Sequence, residues 1–189
     1  PNPAGGLAST GADVYPFFSR QIGLLAGQEV PIDGGLKLTG KTGRTDLGLL
    51  AVRTGDTSFV EGKTFLIGRV RQNLFEQSYI GAIFTDGHPA AGRAGQTYGA
   101  DFRLATSRFL GASRNFVVDG YGLRSANRGI SGQDVSYGFS ARYPNDKFDA
   151  QIVMREMPRN FRPGLGFVQR SNVRMWRAAA SYNPRPDFL

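Results

Sequence analysis

The chain has 189 residues, no cysteine and a single histidine, His88, which excludes disulfides, thiolate metal sites and multi-histidine zinc centres. Its net charge of +8 comes chiefly from arginine, but the arginines stand singly instead of in runs, which speaks against nucleic acid as a partner. No apolar run approaches the ~18 residues of a transmembrane helix, and 26 Gly, 14 Phe and 7 Tyr suit twisted sheet with many turns.

Residues 1–34 read as a lead-in segment. Its start, "PNPAGGLASTGADVYPFFSR", lacks signal-peptide character and begins as if mid-protein, so the chain is expected to be a fragment of a longer one. Nine strands are expected over 35–182. They are Gly35–Lys41, Asp46–Thr54, Thr64–Arg71, Ser78–Thr85, Thr97–Ser107, Arg114–Arg124, Gln133–Tyr143, Asp146–Met157 and Phe167–Tyr182. The clearest signal is "DVSYGFSARYPNDKFDAQIVMREMP", where Val135, Tyr137, Phe139 and Ala141 alternate with Ser136, Gly138, Ser140 and Arg142. The same period resumes after "PND", which makes a hairpin. No stretch sustains a helical period and no linker divides the chain, so one unit over 1–189 is expected.

The connections alternate in length. "TGRT", "QNLFEQ", "RFLGAS" and "PND" read as short; "GDTSFVEGK", "DGHPAAGRAGQ", "SANRGISGQ" and "PRNFRPGLG" read as longer. A barrel in a bacterial outer membrane has this asymmetry, with tight turns on one rim and loops on the other. The strand faces agree. An isolated charge in a dry sandwich core costs several kcal/mol, so the charged face is expected to be wet or filled with pairs. The apolar face then meets lipid or a second sheet. Frequent Ala and Gly on that face, with Tyr98, Tyr137 and Tyr143 towards strand ends, favour lipid; the competing reading is a soluble antiparallel sheet with one solvated face. The fold class expected is therefore all-β, an antiparallel meander forming an outer-membrane β-barrel or a large arc of one. Phe102, Leu104, Tyr137, Phe139, Ile152 and Met154 are expected to face lipid. Arg69, Arg71, Asp101, Arg103, Asp119, Asp134, Arg142, Asp149, Arg155, Arg170 and Arg174 are expected to face the lumen or a ligand.

Several ordered motifs carry a family resemblance: "FFSRQIGL", "VPIDGGLKLTGKTG", "GLLAVRTGD", "RVRQNLFEQSYIGAIFTDG", "GADFRL" and "GLGFVQRSNVR". Together they resemble the barrel half of outer-membrane proteins described as carbohydrate binding family 9 domain-containing, a domain of unknown function numbered 5916. The likeness runs from about Phe17 to about Tyr182. It departs at Gln21 and Gln169, where that family tends to have arginine. The resemblance implies the outer membrane of a Gram-negative bacterium, contact with its lipid and lipopolysaccharide, a preceding lectin-like domain in the full-length protein, and further strands after this segment. That family has no established reaction, so the resemblance implies location and architecture more than activity.

The chemistry read from the residues is modest. Asp and Arg on neighbouring strands form cross-strand pairs, or line a passage for anionic or polyhydroxylated solutes, which a planar guanidinium holds well. Arg20 and Asp33 are candidates for a binding rim or for shaping the start of the first strand. "GGLKLTGKTG" lacks P-loop spacing and reads as hairpin. Hydrolysis would need paired carboxylates; Glu29, Asp33, Glu61, Glu76, Asp86 and Glu156 are available, with Asp86 beside His88 in "TDGHP". "RNFRPGLG" is a basic loop suited to solvent, ligand or lipopolysaccharide phosphate. The function expected is passive transport or surface binding of a carbohydrate or anionic solute, without cofactor or metal. The alternatives are a hydrolase with its site at the barrel mouth and a soluble sugar-binding sheet.

Overall fold

The structure, a computed structural model, describes residues 13–90 and 92–185. Residues 1–12, on which part of the lead-in and signal-peptide reading falls, lie outside the described residues. Short elements come first: β1 (Val14–Tyr15), a 3-10 turn (Ser19–Gln21), β2 (Leu24–Leu25) and β3 (Gln28–Glu29). The long strands follow as β4 (Ile32–Thr42), β5 (Thr45–Thr54), β6 (Thr64–Leu74), β7 (Ser78–Asp86), β8 (Gly95–Thr106), β9 (Phe116–Asn127), β10 (Val135–Pro144) and β11 (Phe148–Met157). A brief β12 (Phe167–Val168) precedes β13 (Val173–Tyr182).

The molecule is all-β, and its main element is one antiparallel nine-stranded sheet in the order β13-β11-β10-β9-β8-β7-β6-β5-β4. Each long strand pairs with its neighbour in sequence, as a meander with period-two patterning requires. Among the described residues the sheet is open, because β4 and β13 each pair on one side only.

Two expectations are corrected. The stretch Phe167–Tyr182 is not one strand: β12 leaves the sheet to pair with β1, Val14 opposite Val168 and Tyr15 opposite Phe167. Asn172, in the left-handed region at φ 59, turns the chain back into β13. The connection containing "RFLGAS" is not short. It runs over 107–115 with a 3-10 turn at Phe109–Gly111, held by the Phe109 ring stacked on Phe116 at 4.5 Å. The other connections at that end, 43–44, 75–77 and 145–147, are tight, whereas the opposite end carries 55–63, 87–94, 128–134 and 158–172.

Alternation gives the sheet two unlike faces. On the outer face Ile80, Phe84, Leu104, Phe139 and Trp176 stand exposed. Phe139 and Ile152 keep nearly half their surface open, at 45% and 44%, and Phe102 is half-buried. Here the Phe102 ring lies across Gly120, where an added Cβ would come within 2.5 Å of it, so glycine is needed for the ring to lie flat. The inner face buries polar groups instead: Asp101, Asp119, Thr97, Ser125 and Ser136 are fully enclosed. Its apolar part is the core, where Phe65, Ile67, Ile83 and Leu123 of the sheet meet Val14, Phe17, Phe161 and Leu165. Those last four come from the lead-in segment and the 158–172 connection. The main-chain bond from Phe18 N–H to the Leu165 carbonyl (2.7 Å) ties the two segments together.

Candidate functional site

Beyond that core, towards the tight turns, the inner face carries an ionic network built by register. In antiparallel pairing Arg103 sits opposite Asp119, and Asp119 opposite Ser140. Asp119, whose side chain is 1% exposed, receives Arg103 Nη1 at 3.4 Å and Arg142 Nη2 at 2.5 Å. The Ser140 hydroxyl donates to the same carboxylate at 3.2 Å. One buried anion thus holds two guanidiniums, and the group keeps a net positive charge.

Arg69 and Asp101 are two strands apart, yet Arg69 Nη1 lies 2.6 Å from Asp101 Oδ1. Gly81, directly opposite Asp101 on the intervening β7, makes this contact possible. A Cβ at Gly81 would sit 2.7 Å from Arg69 Nη2. The pair touches in charge without hydrogen-bond alignment, and among the described residues neither Asp101 oxygen has a hydrogen-bond partner. Arg71 extends the row, bonding Asp46 through Nε (2.9 Å) and Nη2 (2.7 Å) and lying 5.3 Å over the Tyr79 ring. Arg155 reaches inward from β11 to Asp13, fastening the lead-in segment to the sheet.

The expected lumen set therefore divides. Arg69, Arg71, Asp101, Arg103, Asp119, Arg142 and Arg155 share the inner face and are joined in pairs. Asp149 is on the same face, opposite Pro144 and Ser181. Arg170 is exposed in the 158–172 connection. Arg174 differs from the expectation: its register partner Glu156 pairs in turn with Tyr137, which puts Arg174 on the outer face, two residues from Trp176. The sequence pattern misplaced it because β13 starts only at Val173. Asp134 lies just before β10 and pairs with Arg124 at 3.0 Å, away from the Asp119 group. Phe102, Leu104, Tyr137, Phe139, Ile152 and Met154 all share the outer face.

Of the carboxylates weighed for hydrolysis, Asp86 and Glu156 have separate partners. Asp86 accepts a bond from Gln96 (3.0 Å), while Glu156 accepts from Tyr137 (2.9 Å) and Arg174 (2.6 Å). His88 takes a structural bond, its Nδ1 accepting the Ala90 N–H at 3.1 Å. Burial, then the nearby Arg93 and Lys63, push its pKa below the usual value. Lys63 clips the same loop by donating to the carbonyls of His88 (3.2 Å) and Ala90 (2.5 Å). Among the described residues no group of three His, Asp or Glu side chains is placed to hold a metal ion. Asp13, Asp46 and Lys63 are participants the sequence did not reveal. Asp13 meets a residue 142 positions away, a contact without local signature. No family model, curated protein or solved structure matches the chain.

Proposed function

We propose that the chain forms the wall of an outer-membrane β-barrel whose Arg- and Asp-lined interior serves passive passage or surface binding of anionic or polyhydroxylated solutes. One observation carries the reading: the outer face is apolar and open, while part of the inner face encloses charged groups. Asp119 and Asp101 are enclosed while Phe139, Ile152 and Trp176 are open. In water an open apolar face of this extent is a liability; in hydrocarbon it is the required surface.

Further features support the reading. Sheet strands of 9 to 12 residues match the ~9–11 needed for a tilted transmembrane strand. On the outer face Tyr98 and Tyr137 lie towards the end with long connections, and Phe109, Phe116, Tyr143 and Phe148 gather at the other, an arrangement like two aromatic girdles. Unpaired backbone groups are costly in lipid, so β4 and β13 would close with each other or with further strands. The family resemblance of "GADFRL" and "GLGFVQRSNVR" points the same way. Within such a barrel the Asp119 group would stiffen the interior, and its surplus positive charge would bias entry towards anions. Hydrolysis gains no support from Asp86 and Glu156, which are separately engaged with Gln96 and with Tyr137 and Arg174.

The test uses the only tryptophan, Trp176. Reconstituted into vesicles of bromine-chain phosphatidylcholine, the protein should lose most Trp176 fluorescence while aqueous iodide quenches weakly. Strong iodide quenching without bromine quenching would overturn the reading. Conductance in planar bilayers then separates an open interior from a plugged one.

A further inference from the structure

At the end bearing the long connections, the outer face holds a groove of about 510 Å³ lined by Gln133, Asp134, Val135, Glu156, Asn172 and Arg174 among others. It begins where the apolar surface ends: along β11 and β13, Met154 and Trp176 are followed by Glu156 and Arg174 on the same face. On the membrane reading, on which this inference rests, that is the headgroup level.

The charges in the groove are mixed and incompletely used. Both hydrogen bonds to Glu156, from Tyr137 and Arg174, end on Oε2, which leaves Oε1. Asp134 is more than nine-tenths buried, with 8% of its side chain exposed, and accepts Arg124 Nε on Oδ2, which leaves Oδ1. Arg174 bonds Glu156 through Nε, and a guanidinium has four further N–H donors on its Nη fork. A simple anion would meet two carboxylates here, and a simple cation would meet Arg174. A dipolar ion with a phosphate and an ammonium satisfies both.

We propose that the groove seats the headgroup of a zwitterionic phospholipid with a primary ammonium, the phosphate on the Arg174 fork and the ammonium on Glu156 and Asp134. A primary ammonium donates three hydrogen bonds to carboxylate oxygens, whereas a trimethylated one donates none, so the groove distinguishes phosphatidylethanolamine from phosphatidylcholine. Its volume lies in the ordinary range for small-molecule sites, about 300–1,000 Å³.

Trp176 neighbours the groove and reports on it. The full chain is reconstituted in phosphatidylcholine vesicles containing a minor fraction of bromine-chain lipid, either phosphatidylethanolamine or phosphatidylcholine. The expected result is that the ethanolamine lipid quenches about three- to five-fold more effectively at equal mole fraction, the selectivity one exposed ionic contact supplies. Glu156→Gln should lower the ratio towards one while heat-dependent gel mobility stays that of the parent, and Asp134→Asn serves if that variant does not fold. A ratio of one in the parent, or an undiminished ratio in a folded variant, overturns the headgroup site and leaves the membrane reading intact. Absence of quenching by either lipid overturns both.

Discussion

Near the long connections the inner face of the sheet meets Val14, Phe17, Phe161 and Leu165, all buried; towards the tight turns it meets its own arginines around Asp101 and Asp119. The same strands supply both halves, since β7 carries Ile83 in the first and Tyr79 in the second, and β9 carries Leu123 and Asp119. What differs is the cover. Where the lead-in segment and the 158–172 connection fold under the sheet, apolar contacts exclude water. Beyond their reach an apolar inner surface would stay wet, and polar residues there must satisfy one another. Neutralisation in pairs keeps such a surface affordable, at the risk that losing one partner strands the other.

The sharpest way to break the ionic half is to change Arg103→Ala and Arg142→Ala together. That leaves the buried Asp119 carboxylate with the Ser140 hydroxyl alone and should cost about 4 kcal/mol, the range for leaving a buried charge unpaired. Equilibrium urea unfolding, followed by Trp176 in the detergent that keeps the protein folded, measures it; a loss under about 1 kcal/mol would make the network ornamental to stability. Leu165→Ala tests the other half and should cost about 3 kcal/mol through its cavity. Hydrogen exchange should show the Phe18 amide, bonded to the Leu165 carbonyl, losing protection while amides beside Asp119 keep theirs. Equal losses in both places would mean the halves are one cooperative unit. Gly81→Ala is subtler. Its methyl group would lie 2.7 Å from Arg69 Nη2, and displacing that guanidinium should cost about 2 kcal/mol. The cost should vanish when combined with Asp101→Asn, a non-additivity that marks the mutation as acting through the ion pair.

The two halves were unequally legible in the sequence. Period-two alternation located the nine long strands, with boundaries mostly within a few residues, because alternation is a local property that pairing with a sequence neighbour preserves. The same alternation puts Asp101, Arg103, Asp119 and Arg142 on one face, where the antiparallel register sets them side by side. The cover was not legible. Val14 finds Val168 and Asp13 finds Arg155 across nearly the whole chain, and nothing in "ADVYPFF" announces a partner. For a related reason Arg174 lies on the face opposite to the one expected. Treating Phe167–Tyr182 as one strand carried the alternation through residues 169–172, where the backbone turns at Asn172, and one broken register reverses every side chain beyond it.

The smallest expected effect belongs to the loop at 87–94. His88 is held neutral there, with Nδ1 accepting the Ala90 amide, and its pKa is lowered first by burial and then by Arg93 and Lys63. A group whose folded pKa is depressed binds fewer protons folded than unfolded. Its contribution to stability is therefore present above the unfolded value near 6.5 and is lost as pH falls through the lower folded value. Protonation would also remove the acceptor that the Ala90 amide uses, so acid should loosen this loop before it disturbs the sheet. As the only histidine, His88 gives one ring signal in a proton NMR titration, and its midpoint should fall below 6.5. Arg93→Gln should raise that midpoint without restoring it, because burial is the larger cause. A midpoint fully restored by this one substitution would show charge, not desolvation, governing the loop, and would remove burial from the account of how it is held.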